Sequence, residues 1–176
     1  TGQSSYIKPP APDAKTLLRF NWNAAIAQDP FDKKTIYFGS QFLHKSINKG
    51  AAWKVISPDL TTNDSAKIDQ RDNGGLSIDI TGAENHCTII CIAPSAVQKD
   101  LIYIGTDDGK VQVTSNGGAT WTDLTANITG LPKGAWVPQI RTSSYNANEV
   151  FVVANNYRQG DFAPYIFRSL DGGKTW

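Results

Sequence analysis

Apolar positions along this chain come in short alternating runs. Residues 35–40 (Thr-Ile-Tyr-Phe-Gly-Ser) and 101–106 (Leu-Ile-Tyr-Ile-Gly-Thr) are near copies of each other. Both are rich in β-branched and aromatic residues, which predicts strands bounded by turns. Placing the remaining runs around them gives three repeats. In the first, residues 20–27 predict an inner strand, 28–33 a turn, 35–40 a second strand, 42–46 a third and 53–56 a fourth. The second repeat matches with 88–93, 101–106, 110–114 and 121–124. The third uses 136–142, 149–154 and 165–168, and its fourth strand would begin at Trp176. No stretch predicts an α-helix longer than about two turns.

Between the third and fourth strands a second pattern recurs. Residues 169–176 read S-x-D-x-G-x-T-W, with Ser169, Asp171, Gly173 and Trp176 at the key positions. Thr114, Asn116, Gly118 and Trp121 form a close copy, and Ser46, Asn48, Gly50 and Trp53 a looser one. Gly allows the positive φ of a tight turn, and Asp or Asn can accept hydrogen bonds from the turn's own N–H groups. The Trp that follows supplies a large apolar anchor.

This turn resembles the Asp-box, or BNR repeat, of sialidases, sortilin-type (VPS10-type) receptors and related β-propellers. The resemblance widens over residues 22–53 and 56–64, and over 105–109 and 161–166. There the chain is similar to large secreted bacterial proteins described as glycosyl-hydrolase-like or sortilin-like. It implies an all-β fold, a partial β-propeller of about three four-stranded antiparallel blades. The expected blades span about 20–57, 88–125 and 136–176, with an insertion at 58–87 and an extended lead-in at 1–19. Three blades do not close a ring, so the chain is expected to be part of a larger propeller. The remaining blades would come from the rest of a longer chain or from another chain. The resemblance also implies a secreted or cell-surface protein, of bacterial source.

Trp-to-Trp spacings are 68 and 55 residues, longer than the roughly 40–50 of a simple blade. The excess is expected in two polar connections, residues 57–87 and 155–164. The lead-in carries Pro9, Pro10 and Pro12, which excludes a central strand there.

Composition removes several function classes. Seventeen basic and 16 acidic residues leave a net charge of +1 with no basic block, so nucleic acid is not an expected partner. No apolar run approaches the ~18 residues of a membrane span. There is no Met and the chain opens on Thr1, so a start and any signal peptide are expected outside it. Cys87 and Cys91 on one strand would sit about 13 Å apart at ~3.3 Å per residue, too far for a disulfide. They read as free thiols. No metal spacing or cofactor motif is present, so neither a metal nor a cofactor is expected.

Blade geometry selects candidate functional residues. Strands alternate in direction, so the Asp-box turns share one end of the blades. The other end carries the turn at 107–109, the link at 125–135 and both long connections. Long loops more often carry function. That end offers Asp107, Asp108 and Asp161 as candidate catalytic carboxylates, and Glu84, Tyr157, Arg158 and Phe162 as candidate binding residues. Asp79, Arg71 and His86 lie there as well. The expected function is a module that binds a glycan, peptide or protein. The alternative is a glycoside hydrolase of the xyloglucanase-like type, with two of the carboxylates as acid and base or nucleophile. The arginines at 19, 71, 141, 158 and 168 lack the motif that the sialidase resemblance would require.

Overall fold

The computed structural model describes residues 2, 4, 6–68 and 84–176. Four short strands form the first sheet: β1 (Ile26–Gln28), β2 (Ile36–Gly39), β3 (Leu43–Ser46) and β4 (Lys54–Val55). A single helical turn, α1 (Ser65–Ile68), lies in the connection that follows. The second sheet contains β5 (Ile89–Pro94), β6 (Ile102–Thr106), β7 (Val111–Thr114) and β8 (Thr122–Asp123). The third contains β9 (Trp136–Thr142), β10 (Val150–Asn156) and β11 (Asp161–Ser169). In each sheet the strands lie side by side in chain order, and every pairing is antiparallel. The all-β class and the three-blade plan expected from the sequence are what the chain adopts, with the third sheet one strand short.

The sheets stack face to face, and alternation along each strand sets the two faces. Tyr37 and Leu43 of the first sheet meet Ile89, Ile102 and Ile104 of the second, in one buried cluster. Tyr103 and Val111 of the second meet Val137, Val150 and Val152 of the third, in another. Glycine makes the approach close. A Cβ on Gly105 would lie 2.6 Å from Val137 Cγ1 and 2.7 Å from the Val137 carbonyl oxygen. The equivalent Gly39 would meet Ile89 Cβ at 2.9 Å. The inner strand of each following sheet therefore runs directly against the backbone of the preceding second strand. Cys91 packs in the second cluster, where the Ile140 N–H donates to its Sγ at 3.0 Å. Both cysteines are buried and unpaired.

Two expected elements differ. The inner strand of the first repeat is only Ile26–Gln28, not residues 20–27. Asn21 diverts the chain there: its carbonyl accepts from Ala24 N–H at 3.0 Å, and its side chain accepts from Asn23 N–H at 3.2 Å. Residues 155–164 are not a loop but the end of a long hairpin. Asn156 pairs with Asp161, Gly160 turns the chain at φ 74°, and β11 runs for nine residues. Asn156, Asp161 and Tyr165 satisfy one another across this hairpin, so their polarity does not break the strands.

The Trp residues of the recurrent turns are half-buried. Trp121 packs against the first cluster, and its indole N–H donates to the Ile56 carbonyl at 3.1 Å.

Gly105→Ala should destabilise the chain by about 1–3 kcal/mol in chemical denaturation, because the new methyl meets backbone that cannot swing aside. A neutral result would show that the second and third sheets do not pack at the described distance.

Candidate functional site

The antiparallel registers put two kinds of turn at opposite ends of the sheets. At one end sit the recurrent turns, which share one hydrogen-bond pattern. Ser46, Thr114 and Ser169 accept from the N–H groups of Gly50, Gly118 and Gly173 at 2.8, 3.0 and 2.8 Å. Asn48, Asn116 and Asp171 accept from the N–H groups of Ala52, Thr120 and Thr175 at 2.8, 2.9 and 2.9 Å. The Thr175 hydroxyl and N–H, with Ser169, hold the Asp171 carboxyl well below the usual carboxylate range. These side chains act within their own turns.

The opposite end gathers the turn between β6 and β7, the links between sheets and the tip of the β10–β11 hairpin. Asp107 and Asp108 open the β6–β7 turn, and both are buried. Asp107 accepts from the Thr88 N–H at 2.8 Å, the Thr88 hydroxyl at 2.7 Å and the Asn21 amide at 3.1 Å. It thereby ties the start of β5 and the entry to the first sheet onto the second sheet. Asp108 accepts from the Thr62 N–H at 2.7 Å, the Thr62 hydroxyl at 2.6 Å and the Thr106 hydroxyl. It fastens the long connection that leaves the first sheet. These oxygens are occupied by neutral donors within the protein.

Burial pushes the Asp107 carboxyl up to about 7, against three donors that favour its charged form. His86 Nδ1 lies 3.9 Å away. Burial, assisted by Lys67 and Arg158, pushes His86 down to about 4, so it is neutral at neutral pH and the pair is not ionic.

Beside this sealed network lies an open cavity of about 710 Å³, between the links of the second and third sheets. Thr62, Lys67, Asp108, Lys133, Asn156 and Gln159 are among its lining. The hairpin tip at Tyr157–Gln159, a single 3-10 turn, stands at its edge. Arg158 lays its guanidinium 3.3 Å over the Trp136 ring and 4.5 Å from that of Tyr157. His86 meets the same Trp136 edge-on at 6.4 Å. Trp136 is buried and Arg158 exposed, so the stack offers a cation held on an aromatic floor.

A second groove of about 380 Å³ flanks the hairpin, lined by Tyr157, Asp161, Phe162, Pro164, Tyr165 and Ile166 among others. Phe162 is 82% exposed. Asp161 accepts from the Tyr165 hydroxyl at 2.6 Å, the Ala163 N–H at 3.0 Å and the Asn156 amide at 3.1 Å. Those donors hold it below its ordinary range, ionised and committed to the hairpin. Glu84 accepts from the exposed Trp22 indole at 3.3 Å.

The candidates thus fall in separate places. Asp107 is sealed, Asp108 borders the cavity, and Asp161, Tyr157 and Phe162 line the groove. Asp79 and Arg71 lie outside the described residues. Sequence reasoning missed Trp136, which it took only as the start of a strand, and the two cavity lysines, Lys67 and Lys133. The Pro132-Lys133-Gly134 turn just before Trp136 was the available signal. Among the described residues no group of three His, Cys, Asp or Glu could hold a metal, and no helix is long and apolar enough to cross a membrane.

Many solved structures are similar to this chain, three of them as follows. The GH74 enzyme of Niastella koreensis has a TM-score of 0.56 at 18% identity, over 87% of this chain and 22% of its own. YCF48 from Cyanidioschyzon merolae has a TM-score of 0.55 at 13% identity, over 95% of this chain and 38% of its own. YCF48 bound to D1 peptide has a TM-score of 0.50 at 13% identity, over 91% and 46%. This chain is part of a β-propeller. It spans less than half the length of these neighbours, as three blades of a larger ring would. No protein family matches the sequence, and no curated relative does.

The Asp107 carboxyl should titrate near pH 7 in carboxyl carbon NMR. An acid raised from 3.8 to about 7 on folding favours its protonated form. Its contribution is full below pH 4 and is lost as pH rises to 7. His86, lowered from 6.5 to about 4, acts in the opposite sense: its contribution is present above pH 6.5 and lost as pH falls towards 4. Asp107→Asn should remove the first dependence and cost about 1–3 kcal/mol, because its one carbonyl oxygen cannot take both the Thr88 N–H, which donates to Oδ1, and the Thr88 hydroxyl and Asn21 amide, which donate to Oδ2. A titration midpoint below 4 would mean that the donors outweigh burial.

Proposed function

We propose that these blades belong to a binding propeller whose ligand, a peptide or glycan segment, sits at the end opposite the recurrent turns. The observation that carries this reading is the exposed Arg158 stacked on Trp136 and Tyr157 at the rim of the 710 Å³ cavity. A guanidinium fixed on an aromatic floor loses little freedom when it binds and keeps its donors free for carbonyl, hydroxyl or carboxylate oxygens. Phe162 and Tyr157 add apolar contact in the adjoining groove. The peptide in the YCF48 structure belongs to that protein, and it supports the idea that such a fold can hold an extended chain. A place outside the cell, as the Asp-box resemblance implies, belongs to the same reading.

A second reading, a glycoside hydrolase, draws on the raised Asp107 carboxyl and on the GH74 neighbour. Against it stand the full burial of Asp107 and the neutral donors on the oxygens of Asp108. Hydrolysis needs an acid and a base that reach the scissile bond from either side.

Peptide and polysaccharide arrays probed with the protein, followed by titration of the hits, separate the two readings. Arg158→Ala and Tyr157→Ala should each weaken binding on the order of tenfold, equivalent to about 1.4 kcal/mol. Arg168→Ala, at the far end and paired with Glu149, should leave it unchanged. Release of reducing ends from a polysaccharide, abolished by Asp108→Asn, would replace the binding reading with the hydrolase.

A further inference from the structure

Three cations gather at the 710 Å³ cavity. Lys67 and Lys133 line it, and Arg158 lies at its rim on the Trp136 ring. Other cations of the chain hold a carboxylate close: Arg19 has Asp59 at 2.7 Å, and Lys110 and Arg168 have Asp123 and Glu149 at 2.6 Å. Among the described residues, none of the three at the cavity has a carboxylate within 4.0 Å. Two carboxyls share the lining. Asp108 is buried, and its oxygens take donors from Thr62 and Thr106. Asp64 is exposed and takes the Ala66 N–H at 3.1 Å. Three cations against two carboxyls leave an excess of positive charge.

Glycine leaves room beside these cations. A Cβ on Gly134 would lie 3.6 Å from Lys67 Nζ, and one on Gly109 would lie 2.9 Å from the Gly134 nitrogen. The turn before β9 thus runs close against the β6–β7 turn, and no side chain stands at Gly134 to cover the Lys67 ammonium. Lys67 and Arg158 also act on a common neighbour. After burial, their charges help to hold His86 down.

The hairpin that carries Arg158 adds an apolar half. β3 and β7 have four residues each, whereas β11 has nine, so the hairpin tip reaches beyond the turns of the other two blades. Its groove holds Tyr157, Pro164 and Phe162, the last 82% exposed. Asn156 lines both the groove and the cavity, so the two recesses adjoin.

We infer that the ligand is a peptide that places an Asp or Glu side chain in the cavity and a large apolar side chain in the groove. This rests on the binding reading above and names its ligand. Adjoining recesses of opposite chemistry call for charge and apolar bulk a short way apart. An extended peptide supplies both from nearby side chains, at about 3.3 Å per residue. A neutral glycan lacks the charge, and a uronate glycan lacks the apolar side chain. Arg158, fixed on its ring, is the directional donor to the carboxylate, and the two lysines serve it as point charges.

A library of short peptides, acetylated and amidated so that every carboxylate belongs to a side chain, tests this beside a polysaccharide array. Selection on the protein should enrich Asp or Glu together with Phe, Leu or Ile. Replacing the acid of a selected peptide by its amide should weaken binding about tenfold or more. Affinity should fall severalfold between about 50 and 300 mM salt. Lys67→Gln and Lys133→Gln should each weaken binding about threefold or more and leave the melting temperature unchanged. Lys174→Gln, in a recurrent turn at the other end, should alter neither. His86 should titrate at a higher pH in the complex, because the bound carboxylate offsets Lys67 and Arg158. Binders without acid enrichment, amide variants that bind equally well, or an unmoved His86 would overturn the inference and leave the binding reading standing. So would ligands found only on the polysaccharide array and weakened by Arg158→Ala. No ligand from either source would overturn both.

Discussion

Each sheet in this chain buries a face only because the next sheet's inner strand can press against its second strand's backbone. Gly39 and Gly105 remove the side chain that would stand between them, and Ile89 and Val137 occupy the space. Once that distance is set, the rest follows. Tyr37 and Tyr103 flank the glycines, Leu43 and Val111 fill the outer half, and the aliphatic residues of the next blade interdigitate with them. None of these sheets is wide enough to be stable alone, so stacking supplies the burial that short strands lack. Blade 2 is covered on both faces, and the other two on one.

Polar side chains then fix the two ends of the stack in different ways. At one end the Ser, Thr, Asn and Asp side chains of the recurrent turns bond locally, across four residues or fewer. They shape a turn and leave its outer surface to water. At the other end Asp107 and Asp108 reach residues far away in the chain, Asn21 and Thr62. A carboxyl buried without partners would be costly, so these bonds also specify where the links between blades must lie. The same arrangement leaves few free carboxylate oxygens near the cavity. Around it stand the exposed Arg158 on the buried Trp136, the lysines Lys67 and Lys133, and one exposed carboxylate, Asp64.

Much of the architecture was readable in the sequence because its cues are local and repeated. The near-identical runs at 35–40 and 101–106 became β2 and β6, and three copies of one turn pattern became three turns with one set of hydrogen bonds. Local cues failed where tertiary partners decided the outcome. Residues 155–164 looked like a polar loop, yet Asn156, Asp161 and Tyr165 satisfy one another across a hairpin. Asp107-Asp108-Gly109 looked like either a plain turn or an acid pair, and its donors sit up to 86 residues away. The Arg158–Trp136 stack joins the β10–β11 hairpin tip to the start of β9, a side-chain contact that the sequence pattern could not supply.

Native-state hydrogen exchange reads the central claim, that seating between blades holds this structure together. Amides of Ile102–Thr106 in β6, covered on both faces, should exchange at least roughly tenfold more slowly than those of β2 and β10, each covered on one. Equal protection of the three middle strands, or fastest exchange in β6, would contradict the account.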